Sequence, residues 1–150
     1  MTGTNQHNID AKGRLAIPAK LREDLGNRFI ITRGLDSDRC LFAYSEENWE
    51  ALGEKIKTLF KTLKFGQPSL LRLSESEFLL THWSIEDGQG RILIPQKLRE
   101  YAHLKKDVSV IGVSSRAEIW DSATWQAQER AELESGNMLA KQLEYMGNAS

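Results

Sequence analysis

Asp10-Ala-Lys-Gly-Arg-Leu-Ala-Ile-Pro-Ala-Lys-Leu-Arg-Glu23 and Asp87-Gly-Gln-Gly-Arg-Ile-Leu-Ile-Pro-Gln-Lys-Leu-Arg-Glu100 are one segment written twice in the same chain. Asp, Gly, Arg, Ile, Pro, Lys, Leu, Arg and Glu recur in the same order at a constant offset, with Leu15 exchanged for Ile92. The agreement extends beyond the segment. Phe29 to Thr32 corresponds to Val108 to Ile111, and Cys40 to Tyr44 corresponds to Arg116 to Trp120. Ser45 and Asp121 each precede a helical stretch, with Trp49 and Trp125 in matching places. The period is too long for a solenoid repeat, so the pattern reads as two copies of one unit in an internal pseudo-dimer.

Most of what repeats is turn chemistry and basic charge. An Asp at the head of a turn accepts hydrogen bonds from backbone N–H groups two residues on, and Gly supplies positive φ without steric cost. Asp10, Gly13, Asp87 and Gly90 are therefore the expected loop-shaping residues. Leu15 to Ile17 and Ile92 to Ile94 read as brief buried strands. Pro18 and Pro95 suit the first turn of a short helix, where a missing N–H is harmless. The helices are expected over 18–25 and 95–102, the first closed by Gly26. Strands are expected near 28–32, 40–44, 107–112 and 117–120. A helix follows Ser45, a good N-cap, with Trp49, Leu52, Ile56, Leu59 and Leu63 spaced for one apolar face. Another follows Asp121, and Leu70 to Leu80 reads as a helix between the units.

The fold class that follows is α+β: two tandem β-α-β-β units with flanking helices. The first unit spans 1–52, a helical connector 53–83, the second unit 84–127 and a polar helical tail 128–150. A unit of about 40 residues is too small to close a core alone. The two are expected to share one, with interleaved strands and the third strand of each pairing across the pseudo-twofold.

Composition narrows the function classes. The chain has 150 residues, 40% hydrophobic and 27% charged, which is ordinary for a soluble globular protein. No apolar run approaches the roughly 20 residues of a membrane span. The polar N-terminus does not read as a signal peptide. Cys40 is the single cysteine, so no disulfide framework exists and a reducing cytoplasm fits. His7, His82, His103 and Cys40 lack metal-ligand spacing. Gly88-Gln-Gly90 has no third glycine of a dinucleotide loop, and there is no Gly-x-Ser-x-Gly elbow. Asp10 and Asp87 read as turn residues rather than a catalytic pair, and Glu46 and Glu47 as acids favoured by a helix dipole. No catalytic residue, metal site, cofactor or small-molecule substrate is expected.

The net charge is −1, yet it is unevenly spread. From Asp10 to Arg33 there are six Lys/Arg against three Asp/Glu; from Asp87 to Asp107, five against three; from Glu118 to Glu144, two against six. A neutral total thus hides two basic patches and an acidic tail. Lys12 and Arg14 flank a glycine at a loop tip, and Lys20 and Arg22 follow on the short helix. Arg91, Lys97 and Arg99 repeat three of these, with Gln89 in place of Lys12. Such groups neutralise phosphates, and Arg also reads guanine O6 and N7 bidentately. On charge alone, Lys20, Arg22 and Glu23 read more simply as a solvated helix face. Residue-for-residue duplication weighs against that. Trp49, Trp120, Trp125 and Tyr44 do not interleave with the basic tips, which disfavours a single-strand stacking surface.

The doubled Asp-x-x-Gly-Arg-(x)2-Ile-Pro-(x)2-Leu-Arg of Asp10–Arg22 and Asp87–Arg99 resembles the DNA-binding half of AbrB-like, swapped-hairpin transcription factors. Those proteins build one barrel from two chains; a single chain carrying both copies is similar to the MraZ family, encoded at the start of the bacterial division and cell-wall gene cluster. The resemblance implies a pseudo-twofold swapped-hairpin barrel and a sequence-specific transcriptional regulator, usually a repressor of its own operon. It implies binding to short direct repeats of double-stranded promoter DNA, assembly into a ring-shaped homo-oligomer, and a cytoplasmic, nucleoid-associated protein. Carried over, Arg14 is the base-contact residue, with Lys12 beside it and Asp10 shaping the loop. Lys20 and Arg22 hold phosphates. Arg91, Lys97 and Arg99 act similarly or lie at a subunit interface. The first copy is favoured for DNA because of Lys12. The rival is an oligomeric scaffold or protein-interaction module of the antitoxin type, its acidic tail serving as the contact surface.

Overall fold

The computed structural model describes residues 1, 3–34, 39–63 and 80–148. The first unit contributes β1 (Thr4–Asn8), β2 (Arg14–Ala16), α1 (Ala19–Leu25), β3 (Arg28–Arg33), β4 (Leu41–Ser45) and α2 (Glu46–Leu63). The second repeats the order with β5 (His82–Ile85), β6 (Arg91–Leu93), α3 (Gln96–Tyr101), β7 (Asp107–Val113), β8 (Arg116–Asp121) and α4 (Ser122–Asn148). Each unit opens with a leading strand that runs into its Asp-x-x-Gly-Arg turn, and the expected β-α-β-β follows. The expected helix over Leu70 to Leu80 lies outside the described residues, apart from Leu80, which stands in a turn.

Six strands form an antiparallel sheet in the order β1-β7-β8-β4-β3-β5, and β2 and β6 form a separate antiparallel ribbon. The order is symmetric about the β4–β8 seam, where Phe42 faces Glu118 and Ala43 faces Ala117. This is the expected pairing of third strands across the pseudo-twofold. The leading strands are exchanged. β1 of the first unit pairs with β7 of the second, Gln6 facing Ser109. β5 of the second pairs with β3 of the first, Ile30 facing Trp83. Each unit supplies an edge to the other's hairpin.

The core follows from the period of two along each strand. Phe29, Ile31, Leu41 and Ala43 point inward with Leu15, Ile17, Leu21 and Leu25, and meet Ile92, Ile94, Leu98, Val108, Val110, Ala117 and Ile119 in one buried cluster. Nine buried residues of that cluster come from the first unit and eight from the second, so neither unit retains its core without the other. The alternate residues Phe42, Tyr44, Ile111 and Trp120, with Cys40, face outward. Trp49 and Leu52 of α2 and Trp125 of α4 pack against them. Asn48 N–H donates to Ser45 Oγ at 3.2 Å, so Ser45 caps α2 as expected. Asp121 instead accepts from Lys105 N–H at 3.3 Å, tying α4's entry to the loop ahead of β7.

Pro18 and Pro95 stand one position earlier than expected, as N-caps with extended ψ of 137° and 148°. Leu21 and Leu25, four apart on α1, fall on its inner face. These two-turn helices are held by that burial rather than by propensity, since isolated helices so short are unstable. They carry each unit from the ribbon back to the main sheet. The ribbon is thereby left at one end of the barrel.

Candidate nucleic-acid interface

The two turns have the same internal wiring. Asp10 Oδ1 accepts from the backbone N–H of Lys12 and of Arg14, each at 2.9 Å. Gly13, at φ 85°, donates its N–H to the Asp10 carbonyl at 3.0 Å. In the second copy, Asp87 Oδ1 accepts from Gln89 N–H at 2.9 Å and Arg91 N–H at 3.1 Å, with Gly90 at φ 79°. The second carboxylate oxygen grips the arginine side chain. Arg14 Nε donates to Asp10 Oδ2 at 2.7 Å, and Arg91 Nε donates to Asp87 Oδ2 at 2.8 Å. Both carboxyls are held below the ordinary carboxylate range. The Arg14 backbone N–H is the largest cause at Asp10 and the Gln89 backbone N–H at Asp87. One aspartate therefore shapes each loop and aims its arginine.

The ribbon brings the two arginines together. Arg14 pairs with Leu93, Leu15 with Ile92, and Ala16 with Arg91. Directly opposed residues share a face, so Leu15 and Ile92 point into the core while Arg14, Ala16, Arg91 and Leu93 point away from it. Arg14 and Arg91 are diagonal neighbours, roughly 7–8 Å apart by ribbon geometry. With Nε committed to aspartate, each arginine keeps its two terminal Nη groups. Among the described residues neither has a second ion-pair partner. Lys12 and Gln89 sit exposed at the two turn tips, and Lys20 and Lys97 are exposed on α1 and α3.

Arg22 and Arg99 occupy a different place. A Cβ added to Gly13 would lie 2.9 Å from Arg99 Cζ, and one added to Gly90 would lie 2.9 Å from Arg22 Cζ. Each helix arginine thus rests on the loop glycine of the opposite unit. Arg99 Nε donates to the Ile94 carbonyl at 3.0 Å, and Arg22 Nη1 donates to Glu86 Oε1 at 3.1 Å. Backbone bonds run the same way: Ile17 N–H to the Gly90 carbonyl at 2.9 Å and Ile94 N–H to the Gly13 carbonyl at 3.0 Å. Arg22 and Arg99, expected at phosphates, thus each lie behind the turn of the opposite unit. There each guanidinium packs closely against the glycine, and the Arg22 side chain keeps 35% of its surface exposed. The repeat of glycine and arginine together in both copies was the available signal; which unit supplies the partner was not readable from it.

Sequence reasoning also missed Leu93, read as part of a buried strand yet 52% exposed on the arginine-bearing face. A three-residue strand with both ends on the outer face buries only its middle residue. His7, His82, His103 and Cys40 stay apart: Cys40 is buried, His103 lies 3.4 Å from Arg39 Nη1, and burial holds His82 below the ordinary histidine range. Among the described residues no cluster of His, Cys, Asp or Glu could hold a metal ion. No described helix is long and apolar enough to cross a membrane.

The doubled turn, the exchanged leading strands and the shared core agree with the profile described as "MraZ protein, putative antitoxin-like", which matches residues 1–64 and 84–144. The chain belongs to the MraZ family. It is 47% identical over 146 residues to the transcriptional regulator MraZ of Acetivibrio thermocellus, covering 97% of each chain. It is 45% identical over 148 residues to the transcriptional regulator MraZ of Caldicellulosiruptor saccharolyticus, covering 98% of this chain and 99% of that one. In this MraZ-family chain the matched residues take in both turns and most of α4.

Proposed function

We propose that the chain is a DNA-binding transcriptional regulator that reads double-stranded promoter DNA with the β2–β6 ribbon. One observation carries the reading: Arg14 and Arg91 share the exposed face of a two-stranded ribbon, each gripped through Nε by an aspartate. A major groove about 12 Å wide admits a two-stranded ribbon. The two Nη groups of an arginine match guanine O6 and N7, and a gripped side chain loses less freedom on binding. Lys12, Lys20 and Lys97 serve the phosphates, with Gln89 adding an uncharged donor. Both copies work together, since the pseudo-twofold sets both turns on one face. The relatives' description as transcriptional regulators supports this reading. Repression of its own division and cell-wall cluster, through short direct repeats and in association with the nucleoid, is what the family resemblance implies.

Self-assembly belongs to the same proposal. Leu139, Leu143 and Met146 lie three or four apart on α4, and all are exposed. A helix surface of this kind suits a second copy of the chain. A ring that engages several repeats raises affinity by roughly 10²–10⁴ when spacing matches, which suits a subunit of net charge −1. The test is fluorescence anisotropy on DNA from upstream of the gene against scrambled DNA, across a salt series. Specific, steeply salt-dependent binding that disappears in Arg14→Ala and Arg91→Ala supports the reading. No preference for the upstream site, with the variants folded, sinks it in favour of the scaffold alternative.

A further inference from the structure

The ribbon face departs from its own twofold symmetry in charge and in apolar reach, and both of these departures fall on the same half. Under the repeat, Lys12 corresponds to Gln89 and Ala16 corresponds to Leu93. The ribbon register sets Leu93 directly opposite Arg14, and Ala16 directly opposite Arg91. One half of the face therefore presents Lys12, Arg14 and Leu93. The other presents Gln89, Arg91 and Ala16. Leu93 is 52% exposed, although its neighbours Ile92 and Ile94 are buried. This branched apolar side chain stands half in water beside a gripped arginine, outside the buried core cluster.

We infer that Leu93 is a specificity-determining residue that reads the C5-methyl group of a thymine next to the guanine met by Arg14. The inference rests on the DNA reading above. In the major groove, thymine alone among the four bases presents a methyl, and apolar side chains read it by contact. Directly opposed residues have Cβ atoms roughly 4.5–5.5 Å apart. Successive bases are about 3.4 Å apart along a strand. An arginine on one base thus sets Leu93 within one or two steps of it. Ala16, which ends at Cβ, reaches less far from the other half. The site read by one ribbon is therefore directional: guanine with adjacent thymine under the Arg14 half, and no methyl requirement under the Arg91 half. Lys12 adds its charge to the same half and fixes the same direction.

The experiment uses the full-length protein. Sites are selected from a random duplex pool, and each thymine of the enriched site is then replaced singly by deoxyuracil, which removes only the methyl. Wild type is expected to lose about fourfold in affinity at one thymine beside an Arg14-dependent guanine, the worth of one buried methyl-sized group. Leu93→Ala should be indifferent to that replacement while keeping the guanine requirement, the salt slope and the melting temperature. The double variant Ala16→Leu with Leu93→Ala should shift the uracil-sensitive thymine to the opposite end of the site. Four results overturn the inference while leaving the DNA reading intact: no thymine beside the guanine, no uracil-sensitive thymine, sensitivity unchanged in Leu93→Ala, or no shift in the double variant. Failure of the pool to yield any enriched site overturns the DNA reading itself, and this inference with it.

Discussion

Arg14 sits on the exposed face of the ribbon with its Nε on Asp10, whereas Arg22, on the next helix, rests against Gly90 of the other unit and bonds Glu86. The second copy repeats the contrast in Arg91 and Arg99. The four residues have the same charge and belong to the same repeated segment. What stands across from them differs. Arg14 and Arg91 stand on the outer face of the ribbon across from Leu93 and Ala16, while Arg22 and Arg99 pack against a glycine of the opposite unit. Exposure does not separate them, since Arg14 keeps 31% of its side chain exposed and Arg22 35%; the packing partner does.

The contrast is broken most severely at the glycines. Gly13→Ala and Gly90→Ala add a Cβ at positive φ and drive it into the bracing guanidinium. Each is expected to cost about 1–3 kcal/mol of stability, chiefly from backbone strain, with a smaller part from displacing the flexible guanidinium. Placing Gly13→Ala in an Arg99→Ala background should recover the packing part and leave the strain. Denaturant midpoints of the cycle test this, and strict additivity would remove that contact from the account.

Next in size is the functional side of the comparison. Arg14→Ala or Arg91→Ala should weaken specific DNA binding by about 1–3 kcal/mol, with melting temperature nearly unchanged. Arg22→Ala and Arg99→Ala should do the reverse, lowering stability by about 1–2 kcal/mol as braced groups lose partners. Anisotropy and thermal melts on the four proteins decide it. Loss of stability in Arg14→Ala equal to that in Arg22→Ala would erase the distinction.

Smaller effects sharpen it. Lys20→Ala and Lys97→Ala should each flatten the log–log salt dependence by about 0.9 without altering sequence preference. Arg22→Ala should leave the slope in place.

The smallest effect concerns pH. Asp10 and Asp87 have folded pKa values below the ordinary 3.8. Their contribution is complete above that ordinary value and is lost as pH falls through the depressed one. The turns should thus hold at neutral pH and loosen only in strong acid. Asp10→Asn should remove part of the stability change below pH ~4, as read by thermal melts across an acid series; an unchanged acid dependence would contradict the wiring.

Much of the fold was legible because the repeat is local information. Asp10, Gly13 and their counterparts announce two identical turns, Pro18 and Pro95 mark two helix starts, and apolar residues at a period of two mark the strands. Even the seam between β4 and β8 follows from putting two incomplete units face to face. Placement of the helix arginines and of Leu93 was harder to read. Charge and hydropathy report what a side chain prefers, not what lies across from it.

By itself, the sequence determined that there are two equivalent units, where their turns fall, and that neither unit closes alone, since these depend on backbone preferences and on apolar area within short windows. Only the tertiary structure decided that β1 and β5 are exchanged, that Arg14 and Arg91 meet on one ribbon face, and that Arg22 and Arg99 buttress each other's turns. The physical reason is that the decisive partner of every one of these residues lies in the other unit. Contacts so distant along the chain exist only once both halves have packed into one core.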